Sequence, residues 1–136
     1  MIRPVMKDVL FLSQPSEDAT HSDKAVMTDL VDTLLKHREG CVGMAANMIG
    51  VRKRIICVMM GMVPVAMVNP VIVAKSGEYE TEEGCLSLTG VRRCRRFRQI
   101  EVSYLDASFL PRRQTYTGWV AQIIQHEIDH CNGVII

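Results

Sequence analysis

The chain has 136 residues, 48% of them hydrophobic and 23% charged, and its 16 basic and 15 acidic residues leave a net charge of +1. This balance excludes a disordered tail or a collagen-like repeat, and it gives no overall positive field for DNA. A chain of this size buries roughly two thirds of its unfolded surface, so one domain over residues 1–136 needs no disulfide staple. The five cysteines, Cys41, Cys57, Cys85, Cys94 and Cys131, are odd in number and show no C-x-x-C spacing. They fit a reducing cytoplasm.

Met1 to Leu12 carries Pro4, Lys7 and Asp8, which interrupt the continuous apolar run a secretory signal needs. Thr20 to Glu39 follows with a helical stripe of Val26, Leu30, Val31, Leu34 and Leu35. Thr20 or Ser22 is the expected N-cap, and Gly40 the expected left-handed C-cap. Ile55 to Ala74 is uncharged and long enough for a membrane helix. Gly61, Pro64, Asn69 and Pro70 instead divide it into short buried strands, Arg54 to Met60, Val65 to Val68 and Val71 to Lys75, so no membrane is expected.

Glu78, Glu80, Glu82 and Glu83 then precede Arg92 to Arg98, a run with five arginines in seven residues. It reads as a solvated strand or loop with partly paired charges, and a transient ribosome contact is the other reading. Gln99 to Phe109 has strand character, and a polar loop around Pro111 leads to Thr115 to Thr117. Gly118 opens a second helix that runs to a stop at Asn132-Gly133. The fold class expected is α+β, with short antiparallel sheets around the central Trp119 to Cys131 helix and the Thr20 to Glu39 helix packed outside.

The second helix carries His126, Glu127 and His130 as H-E-x-x-H. Positions four apart lie about 40° apart around a helix axis, so both imidazoles can reach one metal ion. Glu127 sits beside them, where it can act as general base without being a ligand. A catalytic metal normally takes three protein ligands. Ile136 stands only six residues after His130, so the third is expected upstream. Cys85 is the best candidate, because Gly84 permits close backbone approach and a dication stabilises a thiolate.

These residues resemble the peptide deformylase family. Gly43-Met44-Ala45-Ala46-Asn47-Met48-Ile49-Gly50 resembles its G-L-A-A-x-Q-x-G segment, Glu83 to Ser87 is identical to its E-G-C-L-S, and Gln125 to His130 fits its Q-H-E-x-D-H. The motifs stand in the family's order. The resemblance implies hydrolytic removal of the N-formyl group from formylmethionyl peptides, nascent or short, with release of formate. It also implies one divalent metal per chain held by Cys85, His126 and His130, with Fe2+ in the cell and Zn2+, Ni2+ or Co2+ as substitutes. Glu127 would take a proton from the attacking water and return it to the leaving amine. The backbone N–H of Leu86 and the family's glutamine would hold the oxyanion.

Gly43 would offer backbone contacts to an extended peptide, while Val42, Trp119 and Ile123 would wall the methionine pocket. Gln125 and Asp129 are candidates to orient the ligands. The chain departs from the family pattern at Met48, which occupies the glutamine's place, and at Cys41, which replaces a glycine. A thioether cannot donate a hydrogen bond, and losing one oxyanion donor typically costs about 3–4 kcal/mol. The side-chain amide of neighbouring Asn47 is the nearest replacement. Two other readings stay open, a deformylase-like protein that binds metal and peptide with little turnover, and a metallopeptidase.

Overall fold

The computed structural model of the protein describes residues 1–135. Five strands form one antiparallel sheet in the order β1 (Gly43–Ala45), β2 (Ile55–Met60), β3 (Val63–Cys85), β4 (Leu88–Leu105) and β5 (Pro111–Thr117). Three α-helices accompany it, α1 (Val9–Leu12), α2 (Lys24–Lys36) and α3 (Gly118–Cys131). The class is α+β as expected. The architecture differs in scale, because β3 and β4 are 23 and 18 residues long and belong to one sheet rather than to several short ones.

The sheet is apolar on both faces, which explains the unbroken hydrophobic run of β2. Ile56 and Val58 face one side with Met67, Ile100 and Val102, against Ile124 and Ile128 of α3. Ile55 and Cys57 face the other with Met44 and Val68, against Leu30 and Leu34 of α2. Strand side chains alternate, so a strand covered on both faces has no polar position to offer. The helix α2 therefore closes a second core instead of lying outside the first. No helix of the described residues is long and apolar enough to cross a membrane.

Three boundaries differ from the sequence expectations. Asn69-Pro70 does not end a strand, because β3 continues through it with a shift of register between Val68 and Val71. Asn69 takes a left-handed φ of 51° there, and its amide group bonds both ways with the backbone of Ala19, at 2.7 and 3.0 Å. Asparagine tolerates that conformation, and proline is admitted at a bulge. The first helix starts later and stops earlier than Thr20 to Glu39, with a 3-10 turn at His21–Asp23 and its end at Lys36. The N–H of His37 closes it by donating to the carbonyls of Leu34 and Thr33, so Gly40 is not its cap. Pro111 opens β5 rather than sitting in a loop, which a sheet-edge strand allows.

Candidate metal centre and cleft

The helix α3 packs on β1, β2 and β4, which sets its H-E-x-x-H face toward the end of β3, where Cys85 stands. Cys85 Sγ lies 3.2 Å from His130 Nε2, and one donor atom each from Cys85, His126 and His130 falls within 4.8 Å of the others. A tetrahedral ion with a metal–sulfur bond of about 2.3 Å and a metal–nitrogen bond of about 2.05 Å spaces sulfur and nitrogen about 3.6 Å apart and the two nitrogens about 3.3 Å apart. The residues therefore fit a metal. All five cysteines are free, so the thiol of Cys85 is available for it.

The orientation of His126 comes from a residue the H-E-x-x-H pattern does not include. Its Nδ1 is 2.8 Å from Glu83 Oε1, which leaves Nε2 as the nitrogen for a metal. Glu83 in turn accepts from Arg96 Nε and Nη2 at 3.0 and 2.7 Å and from Gln122 Nε2 at 2.9 Å. The same guanidinium reaches Asp129 Oδ2 at 2.7 Å, so one side chain ties β3, β4 and α3 together around both histidines. Arg96 belongs to the arginine run, yet it is only 4% exposed. Arg93 and Arg95 do point outward and pair with Glu80 and Glu78, as a solvated strand would have them.

Sequence reasoning missed Glu83, Arg96 and Gln122 as parts of the site. The available signal was period two, since burial alternates from Arg92 to Arg96. Asp129 lies beside the histidines through Arg96. Gln125 turns away, with Oε1 accepting from the Phe97 N–H and Nε2 donating to the Phe97 carbonyl, both at 2.8 Å. It fastens α3 to β4 and does not approach a ligand's side chain.

Glu127 is buried, and its Oε1 has no hydrogen-bond partner. Burial pushes its carboxyl up to about 7, where it can both accept and return a proton near neutral pH. Burial holds His130 down, at about 3, so that imidazole stays neutral as a ligand must. His126 is the opposite case. Burial alone would lower it, but its contacts with Cys85 and Glu83 outweigh burial and raise it to about 10.

A cleft of about 530 Å³ opens above these groups and is lined by Val42, Gly43, Met48, Cys85, Leu86, Trp119, Ile123, His126 and Glu127. Of the proposed metal ligands, proton carrier, oxyanion positions and peptide-binding residues, all except the fully buried His130 border this one cavity, whereas Asn47, Gln125 and Asp129 do not. Ile123 is a buried wall, whereas Val42 and Trp119 stand exposed at the rim. Gly43 is glycine for steric reasons, because an added Cβ would lie 2.7 Å from Ile123 Cγ2 and 2.9 Å from Glu127 Oε2.

Met48 is buried in the lining with its Sδ 3.4 Å from the N–H of Ala45, and it offers no donor to the cleft. Asn47 does not replace it. Its Nδ2 donates to the His130 carbonyl at 3.0 Å, and Asn47 does not line the cleft.

The sequence model of the family described as Polypeptide deformylase matches residues 2–136. A peptide deformylase of Clostridium beijerinckii is 55% identical over 136 residues, covering 100% of each chain. One from Orientia tsutsugamushi (strain Boryong) is 34% identical over 98% of this chain and 80% of its own length. Among solved structures, a peptide deformylase from Legionella pneumophila gives a TM-score of 0.89 at 33% identity, over 99% of this chain and 83% of that one. The Met-ala-ser bound class I type b peptide deformylase from Acinetobacter baumannii gives 0.88 at 29% identity, over 99% and 97%. Sequence and backbone agree along the whole length, and the cysteine-and-histidine cluster lies where the three motifs meet, so this chain belongs to the polypeptide deformylase family.

Proposed function

We propose that the chain, as one domain, removes the N-formyl group of formylmethionyl peptides with Cys85, His126 and His130 as metal ligands and Glu127 as the proton carrier. Deformylation of nascent peptides is the activity of the family to which it belongs. The observation that carries the residue roles is the three-donor cluster with the unpartnered, buried Glu127 carboxylate beside it. A metal held there supplies Lewis-acid polarisation of the formyl oxygen and lowers the pKa of water.

Glu127 takes the proton from water as the new C–O bond forms at the formyl carbon. It then delivers that proton to the departing nitrogen as the C–N bond breaks, and formate and a free amino terminus leave. The N–H of Leu86 holds the developing oxyanion, a contact worth more in the transition state than in the ground state. Gly43 lies in an edge strand whose outward backbone groups can pair with an extended peptide once the Cys41 thiol, which donates to the Gly43 carbonyl at 3.0 Å, gives way. Glu83 and Arg96 keep His126 turned so that its Nε2 faces the ligand cluster.

Because Met48 supplies no donor, lowered turnover is expected, and a binding protein with little turnover is the second reading. A metallopeptidase fits less well, since a cysteine from β3 completes the cluster. One thiolate and two imidazoles suit Fe2+ or Zn2+, and Fe2+ in a reducing cytoplasm is our choice. A transient ribosome contact through the arginine run would rest on Arg92 and Arg98, because Arg93, Arg95 and Arg96 are paired. Purification without oxygen, metal analysis and a formate-release assay on a formylated tripeptide test the reading together. One iron per chain and steady formate release are expected. Metal-loaded protein that binds the peptide and releases no formate would replace it with the binding-protein reading.

A further inference from the structure

The two imidazoles of the cluster are not held alike. His126 has Glu83 at its Nδ1, whereas His130, which turns Nε2 to Cys85 Sγ at 3.2 Å, has an Nδ1 with no partner among the described residues. A neutral imidazole that offers Nε2 to a metal carries its proton on Nδ1, so this atom can only donate. His130 is fully buried, and a buried donor without an acceptor is costly. The other buried side-chain atoms without a partner among the described residues are Ser16 Oγ, Asn47 Oδ1, Ser87 Oγ and Glu127 Oε1. The Glu127 carboxylate and the Asn47 amide oxygen are the two that only accept, and Glu127 lines the cleft as the proton carrier. Asn47 Oδ1 is the acceptor left for His130.

Asn47 is already fastened to the residue it would serve. It is buried in the 3-10 turn Ala46–Ile49 that follows β1, and its Nδ2 donates to the His130 carbonyl at 3.0 Å. That carbonyl stands in the last turn of α3, where the helix itself offers no partner. The nitrogen and oxygen of one carboxamide are about 2.3 Å apart, so Oδ1 lies within about 5 Å of the His130 carbonyl oxygen. One water spans two polar atoms about 5–6 Å apart, and buried waters make roughly two to four hydrogen bonds to atoms of this kind. We infer that Asn47 is the positioning residue of His130, with Nδ2 clamping the end of the helix and Oδ1 receiving the imidazole Nδ1–H through one buried water. The link keeps Nε2 turned to the ligand cluster, as Glu83 does for His126. This inference rests on the reading of His130 as a metal ligand.

The test uses protein loaded with Zn2+, which suits the same donors and is diamagnetic. Chelator competition gives the Kd for zinc, and nitrogen–proton correlation spectra of the histidine rings give the Nδ1–H signals. Asn47→Leu, which keeps the volume and removes both polar atoms, should weaken zinc binding by roughly tenfold to a hundredfold. It should also abolish the slowly exchanging Nδ1–H signal of His130 while that of His126 stays. Asn47→Asp keeps an acceptor at Oδ1 and removes the donor at Nδ2. It should hold zinc within about threefold of wild type and move the His130 signal downfield, as a carboxylate partner does, while Tm falls. A role in packing alone would lower Tm in both variants and leave the signal and the Kd where they are, and that result would overturn the inference. So would an Asn47→Asp protein that loses zinc as Asn47→Leu does. Should Asn47→Leu fail to fold, an unmoved His130 signal in Asn47→Asp is enough to overturn it. Ser16→Ala and Ser87→Ala should match wild type, and loss of the signal in either would assign the imidazole to that hydroxyl instead. Wild-type zinc affinity in His130→Ala is a separate failure, because it would refute the ligand reading itself.

Discussion

A methyl group added at Gly43 should separate packing from catalysis at this site. The Cβ of Gly43→Ala would lie 2.7 Å from Ile123 Cγ2, 2.9 Å from Glu127 Oε2 and 3.1 Å from Glu127 Cγ. Ordinary contacts between such atoms are about 3.5–4.0 Å, so a neighbour must retreat by about 1 Å. Ile123 and Glu127 are both buried on α3, where close packing leaves little room to move. Overpacking of this kind costs about 1–3 kcal/mol, and displacing a catalytic group by about 1 Å costs about a hundredfold in rate. Formate release and thermal unfolding measured on one preparation should show kcat down by about that factor, with a Tm loss of roughly 3–10 °C. Metal content should not change, because no ligand is touched. Gly40→Ala, whose Cβ meets nothing within 4 Å, should leave Tm alone. Wild-type kcat/KM and Tm in Gly43→Ala would refute the close approach of β1 to α3 and the placing of Glu127 that follows from it.

Four further outcomes are expected. Glu127→Gln should keep the metal and the fold while turnover falls at least about a hundredfold, and metal loss measured beside the kinetics would make Glu127 a ligand. Met48→Gln should raise kcat by roughly ten- to a thousandfold with little change in KM; an unchanged, already high kcat would show that another donor serves the oxyanion. Arg96→Ala leaves Glu83 buried without its cation, so unfolding should show a loss of about 3–5 kcal/mol and metal titration a tenfold to hundredfold weaker site. Burial alone would raise Glu83, but hydrogen bonds from His126 and Arg96 outweigh it and hold its carboxyl at about 2 against an ordinary 4.5. A depressed carboxylate stabilises the fold fully above its unfolded pKa and loses that contribution as pH falls through the folded value. Stability on the order of 3 kcal/mol should therefore disappear between about pH 4.5 and pH 2, and parallel pH–stability curves for wild type and Glu83→Gln would contradict this.

Local spacing and chemistry were legible in the chain itself. The four-residue step from His126 to His130 puts two imidazoles on one face because of helix geometry alone, and Cys85 stood out through its motif. The unbroken apolar run of β2 announced a strand covered on both faces. The class of fold followed from these features. Tertiary structure decided what depends on which segments meet. Glu83 and Arg96 are separated by thirteen residues, and nothing local says that one arginine of five turns inward while Arg93 and Arg95 face solvent. The register of β3 on β4 and the packing of α3 over them decide it, because only there is a buried carboxylate waiting for a cation. The same holds for Asn47, adjacent to Met48 in sequence, whose amide is taken by the backbone of α3. Periodicity fixes the face a side chain occupies, whereas the partner it finds there is fixed by pairing and packing between distant segments.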